Sequence, residues 1–209
     1  LSKVWIFDLD DTLHNASAHI FPVMNRAMTQ YIQDSLNLDE SSAFALRQHY
    51  WHIYGATLKG LMRHHNVDAS HFLKQTHAFI DLPNMVLEVK RLRHLLQSLK
   101  GRKCVFTNAP REYALRVLKL LNIADCFELI FSVESTKFHA KPSVRGFKML
   151  LKILNTKPSN CVMLEDNLAA LKTAKRLGMR TIWISKKLLK PNFVDYRMHN
   201  VLALTHTRL

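Results

Sequence analysis

Lys3-Val-Trp-Ile-Phe7 runs directly into Asp8-Leu9-Asp10-Asp11-Thr12-Leu13, and this junction decides how the chain is read. The first five residues are rich in β-branched and aromatic side chains and show no apolar–polar alternation. A short continuous run of this kind is the pattern of a strand covered on both faces, and here it stops abruptly on a carboxylate. The same pattern returns along the chain. Cys104-Val-Phe106 leads into Thr107-Asn108, Leu129-Ile-Phe131 into Ser132, Cys161-Val-Met-Leu164 into Glu165-Asp166, and Thr181-Ile-Trp-Ile184 into Ser185. Helical periodicity fills the intervals at 86–99, 111–121, 144–154 and 168–177. Strand and helix in alternation predict a three-layer, Rossmann-like α/β fold, a parallel sheet with helices on both sides.

One stretch breaks the rhythm. Between residues 14 and 84 there is no strand-like run, only helical pattern at 20–32, 41–53, 58–64 and 70–79. This predicts a small helical domain, residues 14–84, inserted after the first strand, with residues 1–13 and 85–209 forming the α/β core. Beyond Ser185 the chain reads as irregular.

The 209 residues are 48% hydrophobic and 22% charged, the make-up of a globular protein rather than a disordered one. The charge is lopsided, with 30 Lys and Arg against 16 Asp and Glu, a net +14. Such an excess points to an anionic partner: nucleic acid, a membrane surface or a small phosphorylated substrate. The insertion is neutral, so the excess sits on the α/β core, while eight of the twelve histidines fall in the insertion. Cys104, Cys126 and Cys161 are odd in number and widely spaced, which suits buried thiols in a reducing compartment better than disulfides. No apolar run approaches the ~20 residues of a membrane span. The first apolar stretch is cut by Asp8, so a signal peptide is not expected and a cytoplasmic location is. The chain opens on Leu1, so an upstream residue or tag is expected to be absent from it.

In open parallel sheets ligands bind beyond the carboxyl ends of the strands, so the residues directly after each strand are the candidates. They are Asp8, Asp10 and Asp11, then Thr107 and Asn108, then Glu165 and Asp166. Five of the eleven acidic residues of the α/β core fall in these clusters. Carboxylates packed together repel one another unless a cation is present, and oxygen donors without His or Cys favour Mg²⁺ over Ca²⁺ or Zn²⁺. Each has a plainer alternative: Asp8 at a turn, Glu165-Asp166 capping the helix from Leu168. Thr107-Asn108 can hold phosphate oxygens at a helix start, and Lys141, before Pro142, offers them a point charge unless it is merely a solvated surface lysine.

Asp8-Leu9-Asp10-Asp11-Thr12-Leu13 resembles the first motif of the haloacid dehalogenase superfamily. Phe106-Thr107-Asn108, Lys141-Pro142 and Leu164-Glu165-Asp166-Asn167 are similar to its second, third and fourth motifs, in the family's order. The helical insertion resembles the family's small cap. Within it, the segment from Tyr50 to Leu61, with Tyr54-Gly55 and Gly60-Leu61, is similar to one found in the pyrimidine 5′-nucleotidase branch.

The resemblance implies a Mg²⁺-dependent phosphomonoester hydrolase. Asp8 is then the nucleophile that forms an aspartyl-phosphate, and Asp10 gives a proton to the leaving alkoxide and later takes one from water. Mg²⁺ is held by the Asp8 side chain, the Asp10 backbone carbonyl and Asp166, with Glu165 reaching it through water. Thr107, Asn108 and Lys141 bind the phosphoryl oxygens. Tyr54, Gly55, Thr57 and Lys59 of the cap are the candidate substrate contacts, and a nucleoside monophosphate such as UMP or CMP the expected substrate. Position 11 is Asp rather than the family's frequent Gly, and no further acid follows Asp166 closely.

Phosphatases of sugar phosphates or phosphoglycolate, and phosphomutases, remain open alternatives. Dehalogenating members do not keep the Asp8/Asp10 pair. A nucleic-acid-binding protein on a degenerate scaffold would account for the charge. It lacks any reader motif, however, so nucleic acid is not an expected partner. Histidine-based metal binding in the cap, at His49 and His52 or His64 and His65, lacks a convincing ligand spacing.

Overall fold

The computed structural model describes residues 3–206. Strands β1 (Val4–Phe7), β2 (Arg102–Phe106), β3 (Leu129–Phe131), β4 (Cys161–Glu165), β5 (Arg180–Ile184) and β6 (Tyr196–Met198) form a six-stranded sheet in the order β3-β2-β1-β4-β5-β6. Every neighbouring pair is parallel. Helices α1 (Ile20–Leu36), α2 (Glu40–Tyr54), α3 (Thr57–His65), α4 (Ala69–Thr76) and α5 (Leu82–Met85) fall between β1 and β2. A further helix, α6 (Leu92–Ser98), leads into β2, and α7 (Arg111–Leu120), α8 (Val144–Leu154) and α9 (Leu168–Arg176) make the later crossovers.

The continuous apolar strands find cover on both faces, as their lack of alternation requires. Val4 and Ile6 of β1 pack in one cluster with Cys104, Phe106, Cys161 and Met163 from the flanking strands and with Phe147, Leu150, Ala170 and Leu171 of α8 and α9. Trp5, Phe7, Val105 and Leu164 point the other way and are buried too, which places a second layer on that side. The chain leaves β1 toward β2 and later returns to its other flank as β4. The carboxyl ends of β1 and β4 therefore bound the crevice where the strand order reverses, the favoured ligand position in such sheets.

Two features differ from the sequence reading. The tail after Ser185 contains β6, which pairs with β5 from Ile182↔Tyr196 to Ile184↔Met198. With Arg197 at the centre of a three-residue edge strand there is no apolar run to reveal it. The helix expected over 86–99 begins only at Leu92, because Arg91 takes a left-handed conformation with φ 67° and interrupts the chain there. Cys104 and Cys161 are buried, whereas Cys126 is only partly so.

The chain divides into two compact units, one running up to Asn15 and resuming at Val86, the other Ala16–Met85. His14 thus groups with the sheet. In the helical unit, Asp39 and Asp68 accept backbone N–H groups at the starts of α2 and α4. Helix α2 ends on Gly55 with φ 72°, the left-handed exit that glycine allows without a Cβ clash. Gly60 meets a different demand: a Cβ there would lie 2.2 Å from Cγ of Tyr50, so α3 approaches α2 only because position 60 has no side chain. Among the described residues no helix is long and apolar enough to cross a membrane.

Candidate active site

The peptide after β1 builds the first half of the site. Asp8 is still in register with the sheet, its N–H donating to the Leu164 carbonyl at 2.9 Å. The chain then turns back at once, with the Leu13 N–H on the Leu9 carbonyl at 2.9 Å and Asp11 at φ 61°. That left-handed position explains how Asp stands where Gly is frequent, since Asp tolerates the region better than most side chains. The turn presents Asp8 buried and Asp10 partly exposed.

β4 supplies the second half. Oxygens of Asp8, Glu165 and Asp166 lie within 4.8 Å of one another. Lys141 is buried rather than solvated, and its Nζ donates to Asp8 Oδ1 at 2.6 Å and to Glu165 Oε2 at 2.6 Å. The other oxygen of Glu165 accepts the Asn167 N–H at 3.1 Å. The cap of α9 is Asn167, whose Oδ1 accepts from Ala169 and Ala170, so neither Glu165 nor Asp166 is spent on that role.

Three carboxylates against one ammonium leave the cluster short of positive charge. Burial, reinforced by the charge of Glu165, raises the Asp8 carboxyl to about 7 despite Lys141. Burial raises Glu165 to about 7, and burial with the charge of Asp8 raises Asp166 to about 6. Burial alone would favour neutral Lys141, but Asp8 and Glu165 outweigh it and hold the ammonium above its ordinary range. Hard oxygen donors, closely spaced and reluctant to ionise together, fit a small divalent cation. No histidine joins them: among the described residues this is the group of acidic, His or Cys side chains spaced to hold a metal.

The second-motif residues make contacts within the protein. The Thr107 N–H donates to the Phe131 carbonyl at 3.0 Å, which extends the sheet, and its hydroxyl accepts the Ala109 N–H at 3.0 Å. Asn108 holds the lysine segment: its Oδ1 accepts the Lys141 N–H at 2.7 Å and its Nδ2 donates to the Lys141 carbonyl at 3.0 Å. Helix α7 starts at Arg111, and the Arg111 N–H donates to the Glu134 carboxylate, so that helix start is occupied by a side chain of the protein. Two residues the sequence did not single out attend Asp10. The Tyr113 hydroxyl donates to Asp10 Oδ1 at 2.7 Å, and Nε2 of His14 lies 2.9 Å from the same oxygen. His14 lies four positions after Asp10, inside a motif already read for other residues, and Tyr113 is carried in from α7.

Within the helical unit, the Thr57 hydroxyl is buried and donates to the Arg47 carbonyl at 3.1 Å, so it belongs to helix packing. Gly55 is the α2 exit. Tyr54 hydrogen-bonds His64 at 2.7 Å, and the Lys59 ammonium lies 5.7 Å from the centre of its ring.

A parallel sheet with carboxylates and a buried lysine gathered where its strand order reverses defines an α/β enzyme core of the hydrolase type. A sequence model of the haloacid dehalogenase-like hydrolases matches residues 3–178, and the chain belongs to that family. It is 28% identical over 194 residues to phosphate metabolism protein 8 of Saccharomyces cerevisiae, covering 85% of this chain and 60% of that protein. It thus spans under two thirds of the yeast protein's length. It is 27% identical to the validoxylamine A 7′-phosphate phosphatase of Streptomyces hygroscopicus subsp. limoneus, over 85% of this chain and 83% of that one. A crystal structure of a phosphatase of this superfamily from Thermococcus onnurineus superposes with a TM-score of 0.69 at 19% identity, covering 98% and 96% of the two chains.

Proposed function

We propose that the protein is a Mg²⁺-dependent phosphomonoester hydrolase working through an aspartyl-phosphate on Asp8, with pyrimidine nucleoside 5′-monophosphates as its substrates. The observation that carries this reading is the pair of contacts from Lys141 to Asp8 and to Glu165 at the strand-order reversal, with Asp166 beside them. The names of the yeast and Streptomyces relatives, phosphate metabolism protein 8 and a phosphatase, support phosphate ester chemistry.

Asp8 attacks phosphorus, where a carboxylate serves as the covalent carrier. Lys141, already 2.6 Å from Asp8 Oδ1, orients the nucleophile and lends positive charge to the incoming phosphoryl group. Asn108 fixes the lysine's backbone, and the Thr107 hydroxyl faces the phosphoryl oxygens. Asp10 handles the proton for the leaving group and then for water. Asp8, the Asp10 backbone carbonyl and Asp166 would hold Mg²⁺, with Glu165 reaching it through water, and the ion would supply charge neutralisation between two anions that otherwise repel. The basic surface of the sheet unit draws the substrate dianion inward over distance.

The helical unit is read as the cap that selects the ester. Its Tyr50–Leu61 segment, similar to that of pyrimidine nucleotidases, leaves the Tyr54 ring with Lys59 as its aromatic and cationic offering, while Thr57 and Gly55 shape the turn. The Streptomyces relative is named for a 7′-phosphate rather than a 5′-phosphate, which supports a second reading in which the substrate is another small phosphomonoester. Phosphate release with Mg²⁺ from UMP and CMP, set against sugar phosphates and phosphoglycolate, separates the two. Release from the nucleotides is expected, and Asp8→Asn should abolish it. Release confined to the other esters would end the pyrimidine assignment.

A further inference from the structure

Two side chains meet Asp10 on one and the same oxygen. The Tyr113 hydroxyl donates to Oδ1 at 2.7 Å, and the His14 Nε2 stands 2.9 Å from that same atom. A carboxylate oxygen has two in-plane lone pairs, so two such donors saturate it. Because Oδ1 serves here as an acceptor, a hydrogen bond from the imidazole requires the hydrogen on Nε2. Both rings are immobilised by burial, with Tyr113 1% and His14 3% exposed, whereas the Asp10 side chain keeps 13% of its surface open.

Packing does not account for the imidazole. His14 Nδ1 is buried without a hydrogen-bond partner, an arrangement that costs stability and that an apolar side chain would avoid. Its Nε2 contact with Asp10 is the polar return on that cost, strengthened by the backbone bridge between Asp10 and His14. Tyr113 reaches the same oxygen from 103 residues further along the chain. Two donors, one local and one carried in from α7, converge on Oδ1, and neither engages Oδ2.

We propose that Tyr113 and His14 are positioning residues for proton transfer: by saturating Oδ1 of Asp10 they make Oδ2 the oxygen that gives and retrieves the proton. This rests on the reading of Asp10 as general acid and base. In the first half-reaction an Asp8 oxygen bonds to phosphorus while the ester P–O bond breaks, and the Oδ2 proton passes to the alkoxide to release the alcohol. In the second, a water oxygen bonds to phosphorus, one water proton returns to Oδ2, and the Asp8–phosphorus link breaks to release inorganic phosphate. A carboxyl free to rotate would often present its proton on the wrong side, which lowers turnover without weakening substrate binding.

The test compares two leaving groups on the full chain with Mg²⁺. UMP expels an alkoxide that needs a proton, whereas p-nitrophenyl phosphate expels a stable phenolate that does not. Tyr113→Phe removes only the hydroxyl. It should lower the single-turnover rate of uridine release from UMP by about tenfold or more with KM within about twofold, and change the single-turnover burst of p-nitrophenolate by less than about twofold, because only the first half-reaction differs between the two esters. His14→Leu should show the same selectivity, and His14→Gln, which keeps an N–H donor, should recover part of the UMP rate. Equal losses on both esters would mark a general structural role and overturn the assignment, as would an unchanged UMP rate in Tyr113→Phe. A wild-type protein that cleaves p-nitrophenyl phosphate but neither UMP nor any other alkyl phosphate would overturn it as well. Failure on every ester would instead remove the functional reading beneath it.

Discussion

The ammonium of Lys141 stands 2.6 Å from Oδ1 of Asp8, both of them buried, at the point where the sheet changes direction. A charge pair in that position fixes the orientation of the Asp8 carboxylate, the proposed nucleophile, before any substrate arrives. Lys141→Met keeps most of the volume and removes the charge, leaving Asp8 and Glu165 without their shared partner. Phosphate release should fall at least ~100-fold. Removing one member of a buried pair costs on the order of 3–5 kcal/mol, so urea unfolding at pH 8 should show a loss of that order. The loss should shrink at pH 5, where the carboxyls accept protons.

The metal-free protein should lose stability as pH rises from about 4 to about 7. Asp8, Glu165 and Asp166 are each raised in the folded state, to about 7, about 7 and about 6. Across that interval the folded chain binds more protons at these sites than the unfolded chain, so unfolding becomes easier with increasing pH. Mg²⁺ should therefore raise the melting temperature more at pH 8 than at pH 5. Thermal melts with EDTA and with Mg²⁺ at several pH values check both parts, and equal Mg²⁺ effects at the two extremes would contradict them.

On the proposed reading, Asn108 is expected to act on the reaction through Lys141. Its amide makes two hydrogen bonds to the Lys141 backbone, at 2.7 and 3.0 Å. Asn108→Ala should cost about 1–3 kcal/mol in denaturant titrations because the partners are partly buried. It should lower kcat beyond any change in KM, since the lysine loses its support. Asn108→Asp, which keeps the acceptor but sets a negative charge against the Lys141 carbonyl, should retain less than the wild type.

Gly60→Ala tests the helical unit separately. A Cβ at position 60 would meet the Tyr50 ring at 2.2 Å, and that ring also hydrogen-bonds His65 at 2.8 Å. Overpacking of this kind costs about 1–3 kcal/mol. Hydrogen exchange should show faster opening in α2 and α3, with β1 and β4 little affected.

The sheet was legible because its strands are covered on both faces and therefore read as unbroken apolar runs, each ending on a polar residue. Edge strand β6 needs no such run: it is three residues long, with Arg197 in the middle, and only its pairing with β5 defines it. The acidic side of the site was legible for a similar reason, since Asp8, Glu165 and Asp166 lie directly after or at the end of strands. Partnerships across the chain were not. Nothing local to Tyr113 or Asn108 announces a hydrogen bond to Asp10 or to Lys141, because those contacts depend on how α7 and the lysine segment pack. The glycines of the helical unit were open to a plain reading, and Gly55 and Gly60 meet a turn and a close helix approach.

The bonds drawn above to Asp8, Asp10, Lys141 and Glu165 all come from residues of the sheet unit, with none contributed by Ala16–Met85. The hydrogen bonds that hold these carboxylates and the lysine thus form within the sheet unit itself. On the proposed reading, bond breaking is held by one unit of the fold, while the choice of ester is the task proposed for the other.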